Sequence, residues 1–122
     1  MNILLAEDTE DLADLISALI QSTYNTRVVW KPNGAEALEE FKNCTELNFD
    51  ETYNFIITDK CMPIMTGPEL AKNVHQLDPT MPIVLWTSDK YIQQTIPLFI
   101  EVVDKSNTVL WVSVGLKEYI LS

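Results

Sequence analysis

The chain has 122 residues, 47% of them hydrophobic, with 18 acidic side chains against 8 basic ones and a formal charge of −10. That length suits one domain with an ordinary hydrophobic core and is too short for two. The acidic balance argues against direct binding to nucleic acid or to a membrane surface, because counterion release needs clustered Lys and Arg.

The 21% charged and 9% aromatic fractions argue against disorder. Cys44 and Cys61 are the two cysteines and His75 the one histidine, spaced for neither a disulfide framework nor a zinc site. No signal-type cleavage site follows the N-terminus and no apolar run approaches membrane-spanning length, so a reduced, cytoplasmic protein is expected.

The apolar run Ile3 to Ala6 stops at Glu7-Asp8, as a fully buried strand does on reaching an acidic loop. Thr9 is placed to cap a helix whose stripe is Leu12, Leu15, Ile16, Leu19 and Ile20. A short strand is expected over Arg27 to Trp30. After the Asn33-Gly34 turn and cap, a second helix follows on Ala35, Leu38 and Phe41, and residues 45–52 read as loop. Phe55 to Thr58 is another buried strand ending on an acid, Asp59, with Pro63 and Gly67 breaking the chain beyond it. Met62 and Met65 suit packing under that loop. Thr66 and Glu69 have capping-box spacing ahead of a helix carrying Leu70, Val74 and Leu77, which places His75 on its surface.

Ile83 to Trp86 is a third buried run, closing on Thr87-Ser88-Asp89, and Phe99 to Val103 a fourth. Pro97 leaves room between them only for a short or irregular fourth helix. Ser106 is placed to cap a last helix reaching nearly to Ser122. Its core stripe is expected on Val109, Val112, Leu116 and Ile120, and Leu110, Val114 and Leu121 form a second apolar strip roughly opposite, a candidate homodimer face.

Five strands alternating with helical segments predict an α/β fold, a doubly wound five-stranded parallel sheet covered on both faces. In such sheets the binding crevice lies beyond the carboxyl ends of the strands. The groups there are Glu7, Asp8, Asp59, Thr87 and Lys105. Each alone is ordinarily a surface acid, a surface lysine or a helix cap, and their meaning is joint. Carboxylates a few ångströms apart repel by about 4 kcal/mol per pair at an effective dielectric near 20, and a divalent cation removes that strain. Oxygen ligands without His or Cys select a hard ion, Mg²⁺ foremost. Asp59 is then the candidate nucleophile toward a phosphoryl group, with Lys105 as a charge on its oxygens and Thr87 as a hydroxyl donor.

These residues resemble the receiver domains of two-component response regulators. The resemblance spans essentially the whole chain. It rests on Glu7-Asp8, the run Asn33-Gly34-Ala35-Glu36-Ala37-Leu38, Asp59 followed by Met62-Pro63, Met65 and Gly67, and then Thr87 and Lys105. It implies a flavodoxin-like, CheY-like (βα)5 fold with sheet order 2-1-3-4-5. It implies Mg²⁺ held by Glu7, Asp8, Asp59 and the backbone carbonyl of Cys61. It further implies phosphoryl transfer to Asp59 from a sensor histidine kinase or histidine phosphotransfer protein, slow self-hydrolysis rather than enzymatic turnover, and a downstream effector protein. Cys61 and Asp89 fall where the family tunes the phosphoryl lifetime.

The chain departs from the family at Val102, where an aromatic switch residue is usual, and at Ser106, where Pro is usual, so the Lys105–Ser106 peptide is expected to be trans. A stand-alone receiver over residues 1–122 with no output domain is the expectation. A degenerate receiver that works as a phosphorylation-independent interaction module is the alternative. A haloacid-dehalogenase-type phosphatase wants an Asp where Cys61 stands, and no Gly-rich loop ending in Lys-Ser or Lys-Thr marks a nucleotide hydrolase. Redox sensing at Cys61 is disfavoured by its acidic neighbourhood.

Overall fold

A computed structural model describes residues 1–47, 52–89 and 98–120. Five parallel strands form one sheet: β1 (Asn2–Ala6), β2 (Arg27–Lys31), β3 (Phe55–Thr58), β4 (Ile83–Thr87) and β5 (Glu101–Asp104), in the order β2-β1-β3-β4-β5. Among the described residues, the helices α1 (Glu10–Thr23), α2 (Gly34–Leu47) and α3 (Gly67–Leu77) connect β1 to β2, β2 to β3 and β3 to β4. A C-terminal helical segment over 105–120 follows β5.

The period-two alternation of a strand divides the core in two. Leu4, Ala6, Ile56, Ile83 and Leu85 face α2 and α3, packing on Phe41, Leu70 and Val74. Ile3, Leu5, Phe55, Ile57, Val84 and Trp86 face the other way, onto Ile16 and Ile20 of α1 and onto Trp111, Val112 and Leu116 of the C-terminal segment. Both faces of β1, β3 and β4 are therefore apolar, as their unbroken sequence runs require.

Local signals behave as expected at two helix starts. Thr66 Oγ1 accepts from the Glu69 amide and the Glu69 carboxylate answers at the Thr66 amide, a complete capping box. Asn33 Oδ1 accepts from the Glu36 amide at 2.9 Å. Thr9 stands at the α1 N-cap, but its side chain makes no capping bond. Met62 is buried and Met65 packs against the same core, while half-buried His75 places Nε2 2.9 Å from the Met81 carbonyl oxygen.

Several boundaries differ from expectation. The helix α2 runs on to Leu47, into the stretch read as loop, because a polar sequence carries no apolar stripe yet can still satisfy its backbone helically. β2 gains Lys31, and β5 begins only at Glu101, with Phe99 buried just ahead of it. Ser106 is not the cap of the last helix. Asp104 caps a 3₁₀ turn (Lys105–Asn107), its carboxylate accepting from the Ser106 amide and hydroxyl, both at 2.9 Å. A helical turn (Thr108–Leu110), a π-helical turn (Trp111–Gly115) and a last turn (Lys117–Ile120) complete the segment.

The expected core stripe holds at Val112, Leu116 and Ile120 but fails at Val109, ahead of the π turn. The Leu116 amide bonds to the Trp111 carbonyl five residues back, at 2.8 Å, so the residues before it rotate relative to an uninterrupted helix. Val109, expected in the core, is 65% exposed, while Trp111, Val112 and Leu116 are buried. Leu110 and Val114 are exposed as expected, and the fourth-helix region with Pro97, as well as Leu121, lies outside the described residues.

Candidate functional site

Parallel pairing brings the ends of β1 and β3 level: Ala6 pairs with Thr58, and the Asp59 amide donates to the Ala6 carbonyl at 2.9 Å. The next residues, Glu7, Asp8 and Asp59, thereby leave the sheet side by side. One carboxylate oxygen from each lies within 4.8 Å of the others. Glu7 is fully buried and Asp59 nearly so, whereas Asp8 is exposed.

Lys105 enters from the end of β5. Its Nζ lies 3.1 Å from both oxygens of Glu7 and 3.3 Å from Oδ2 of Asp59, with the Trp86 ring centroid 4.8 Å away. An ammonium thus sits between two buried carboxylates and over an aromatic face, which offsets the cost of burying the charges. The offset is incomplete at Glu7. Burial, and then the negative charge of Asp59, push its pKa up to about 7, while Lys105 pulls the other way.

The Lys105 backbone is fixed by a relay. Trp86 Nε1–H donates to Thr108 Oγ1 at 2.9 Å, and the Thr108 hydroxyl donates to the Lys105 carbonyl at 2.5 Å. The Lys105–Ser106 peptide is trans, as expected, since no cis bond occurs among the described residues.

Thr87 closes β4, the strand beside β3, and is buried. Its Oγ1 accepts from the Asp89 amide at 3.1 Å, which leaves the hydroxyl proton for another acceptor. Cys61 is exposed on the loop after β3. The structure thus brings Glu7, Asp8, Asp59 and Lys105 into one cluster, with Thr87 and Cys61 on the flanking strand end and loop.

Two contributors were not read from sequence as site residues. Lys60 donates to Asp89 Oδ2 at 2.5 Å, which ties the loop after β3 to the loop after β4, and this bond holds the Lys60 ammonium above the ordinary lysine range. Its amide also donates to Asp59 Oδ1 at 2.8 Å. Gly67 matters because its α-carbon lies against the Asp59 carbonyl oxygen, so any side chain there would collide with the backbone of the central acid. Gly67 was legible as a chain breaker and as part of the family resemblance, but not as a neighbour of the Asp59 backbone. Lys60 carried no signal, since its partner is remote in sequence.

The donor set consists of oxygens alone, contains a buried carboxylate of raised pKa, and gathers three acids about one point. Such a set suits a hard divalent cation and fits the metal that the resemblance implies.

Known proteins resemble this chain in sequence and in fold. A Brucella abortus response regulator receiver protein, CpdR, is 36% identical over 86 residues, 70% of this chain and 64% of its own. The aligned stretch spans less than two thirds of the curated relatives' own length. Among solved structures, the response regulator TrrA of Thermotoga maritima in complex with Mg²⁺-BeF is 23% identical, covers 98% of each chain and superposes with a TM-score of 0.82. TrrA in complex with histidine kinase ThkA superposes at 0.80, with 24% identity, over 98% of this chain and 97% of that one. At those identities the likeness concerns the fold. Residues 3–104 match the family model of the response regulator receiver domain, and the chain belongs to that family, the receiver module of two-component signalling.

Proposed function

We propose that this protein is a phosphoacceptor in a phosphorelay: Asp59 takes a phosphoryl group from a phosphohistidine on a sensor histidine kinase or histidine phosphotransfer protein. It then acts in the cytoplasm by binding a downstream effector protein. The supporting observation is the Asp59 carboxylate at the end of the middle strand, with Lys105 Nζ 3.3 Å from Oδ2 and two further carboxylates beside it.

In the transfer, an Asp59 carboxylate oxygen attacks phosphorus, the P–N bond breaks with the electron pair staying on the imidazole nitrogen, and an acyl phosphate forms. Lys105, already shared between Glu7 and Asp59, follows the new negative charge onto the phosphoryl oxygens. Thr87 donates its free hydroxyl proton to another of those oxygens, while its oxygen can go on accepting from the Asp89 amide. Glu7, Asp8, Asp59 and the Cys61 carbonyl would hold Mg²⁺, which would supply positive charge to neutralise the acidic cluster and the phosphoryl oxygens. Water attack at phosphorus later returns the carboxylate and releases phosphate, so the domain resets without being an enzyme for an external substrate.

Incubation with a small phosphodonor and Mg²⁺ is expected to add the mass of one phosphoryl group to the wild type and none to Asp59→Asn. Labelling that survives the substitution rejects the site. The rival reading is a phosphorylation-independent module, which the exposed Val102 on β5 favours because no aromatic side chain there can follow Thr87. Beryllofluoride with Mg²⁺ separates the two: amide shifts around Thr87 support phosphoacceptance, and an unresponsive spectrum supports the rival.

A further inference from the structure

The three acids of the strand-end cluster are held in different ways. Both oxygens of Glu7 lie 3.1 Å from Lys105 Nζ, and Asp59 takes the Lys60 amide on Oδ1 and the Lys105 ammonium near Oδ2. The exposed Asp8 carboxylate has no hydrogen-bond or ion-pair partner among the described residues, so its place follows from its backbone.

That backbone is tied to β2. The pairing of β1 with β2 runs as far as Ala6 with Lys31, and the Glu7 amide extends it by donating to the Lys31 carbonyl at 3.1 Å. Pro32 then has no amide to offer, and the chain turns towards α2. A side chain meets the Glu7 carbonyl instead: Trp30 Nε1–H donates to it at 2.6 Å. The half-buried Trp30 ring packs against the core on the α1 face of the sheet, so the donor is itself held in place. The Glu7 carbonyl and the Asp8 amide belong to one planar peptide, and a bond that fixes that oxygen fixes the plane from which Asp8 departs.

We propose that Trp30 is a positioning residue for the divalent cation, a role that rests on the Mg²⁺ reading of the cluster. By holding the Glu7–Asp8 peptide, its indole N–H sets where the Asp8 carboxylate stands relative to Glu7 and Asp59. Mg²⁺ tolerates little departure from octahedral coordination, so a ligand held only through its backbone needs that backbone fixed. Packing on the core would be served by Phe, and the indole nitrogen is the part that the core does not need. Trp30 makes none of the hydrogen bonds of Asp59, Lys105 or Thr87, so its donor acts on cation affinity and not on the transfer step.

The test compares the full-length wild type with two variants. Trp30→Phe keeps an aromatic ring on the core and removes the donor, while Trp30→benzothienylalanine keeps the bicyclic shape and replaces N–H by sulfur. Mg²⁺ binding followed by calorimetry should weaken about tenfold in both. The Mg²⁺ concentration that half-saturates phosphodonor labelling should rise by the same factor, with the labelling rate at saturating Mg²⁺ unchanged. In the ¹⁵N spectrum of the wild type, Mg²⁺ should shift the Trp30 indole N–H together with the Asp8 amide. Unchanged Mg²⁺ affinity in both variants would overturn the positioning role and leave the metal reading standing. Weakening by Trp30→Phe alone would overturn it too, by assigning the effect to ring shape, as would a labelling rate that falls in both variants at saturating Mg²⁺ or an indole N–H that ignores the cation. A wild type that binds no Mg²⁺ would overturn the metal reading, and the role of Trp30 with it.

Discussion

The carboxyl end of β5 and its outer side solve opposite problems. At its carboxyl end, Lys105 and the acids Glu7 and Asp59 are buried charges held by sheet register, and their geometry is set by residues far apart in sequence. Along its outer side, Val102 faces Leu110 and Val114, apolar groups left in water and placed by one irregular turn of helix. Buried charge stores free energy that a ligand can release by neutralising it, while exposed apolar area stores free energy that a partner can release by covering it. The first region should be sensitive to pH, cations and single-residue removal. The second should be insensitive to all three.

The largest stability effect is expected from Lys105→Ala. Removing the ammonium leaves two buried carboxylates facing each other, and breaking such a pair costs about 3 kcal/mol at pH 8. At pH 5.5 the loss should be smaller, because Glu7 can take up a proton instead. Urea unfolding at the two pH values measures both, and an equal loss at each would mean that Lys105 contributes packing against Trp86 rather than charge.

The pH dependence of the metal-free protein comes next. The Glu7 pKa is raised from 4.5 to about 7 by burial and by Asp59, so between those values the folded chain holds a proton that the unfolded chain has released. Stability therefore falls as pH rises through that window, by on the order of 3 kcal/mol, and levels off above it. Mg²⁺ should restore stability at pH 8 far more than at pH 5.5, and Glu7→Gln should flatten the profile. A stability that stays flat across the same window would show that Glu7 is ionised in the fold throughout.

The strand-end cluster was legible because a fully buried strand does not readily continue through polar residues, so the runs ended visibly at Glu7 and Asp59 and, for the third, on Thr87-Ser88-Asp89. Lys105 and the Thr66–Glu69 box were readable for the same local reasons. The register of Val109 was not, because assigning it to the core assumed an uninterrupted 3.6-residue period, and the π turn at Trp111–Gly115 breaks that period without any Pro or charge to mark it. The length of α2 was missed because polar residues that stay helical leave no periodic trace. The Lys60–Asp89 bond was missed because two surface-type charges 29 positions apart meet only once β3 and β4 are paired.

The smallest expected effect completes the contrast. Leu110→Ser with Val114→Ser removes two large apolar side chains, which in a core would cost several kcal/mol, yet both are more than half exposed. Substitutions at such positions usually change stability by less than about 0.5 kcal/mol, and the double variant should unfold within about 1 kcal/mol of the wild type. A larger loss would mean that the two side chains support the Trp111 ring and its bond to Glu101, making the outer side of β5 part of the core instead of exposed surface.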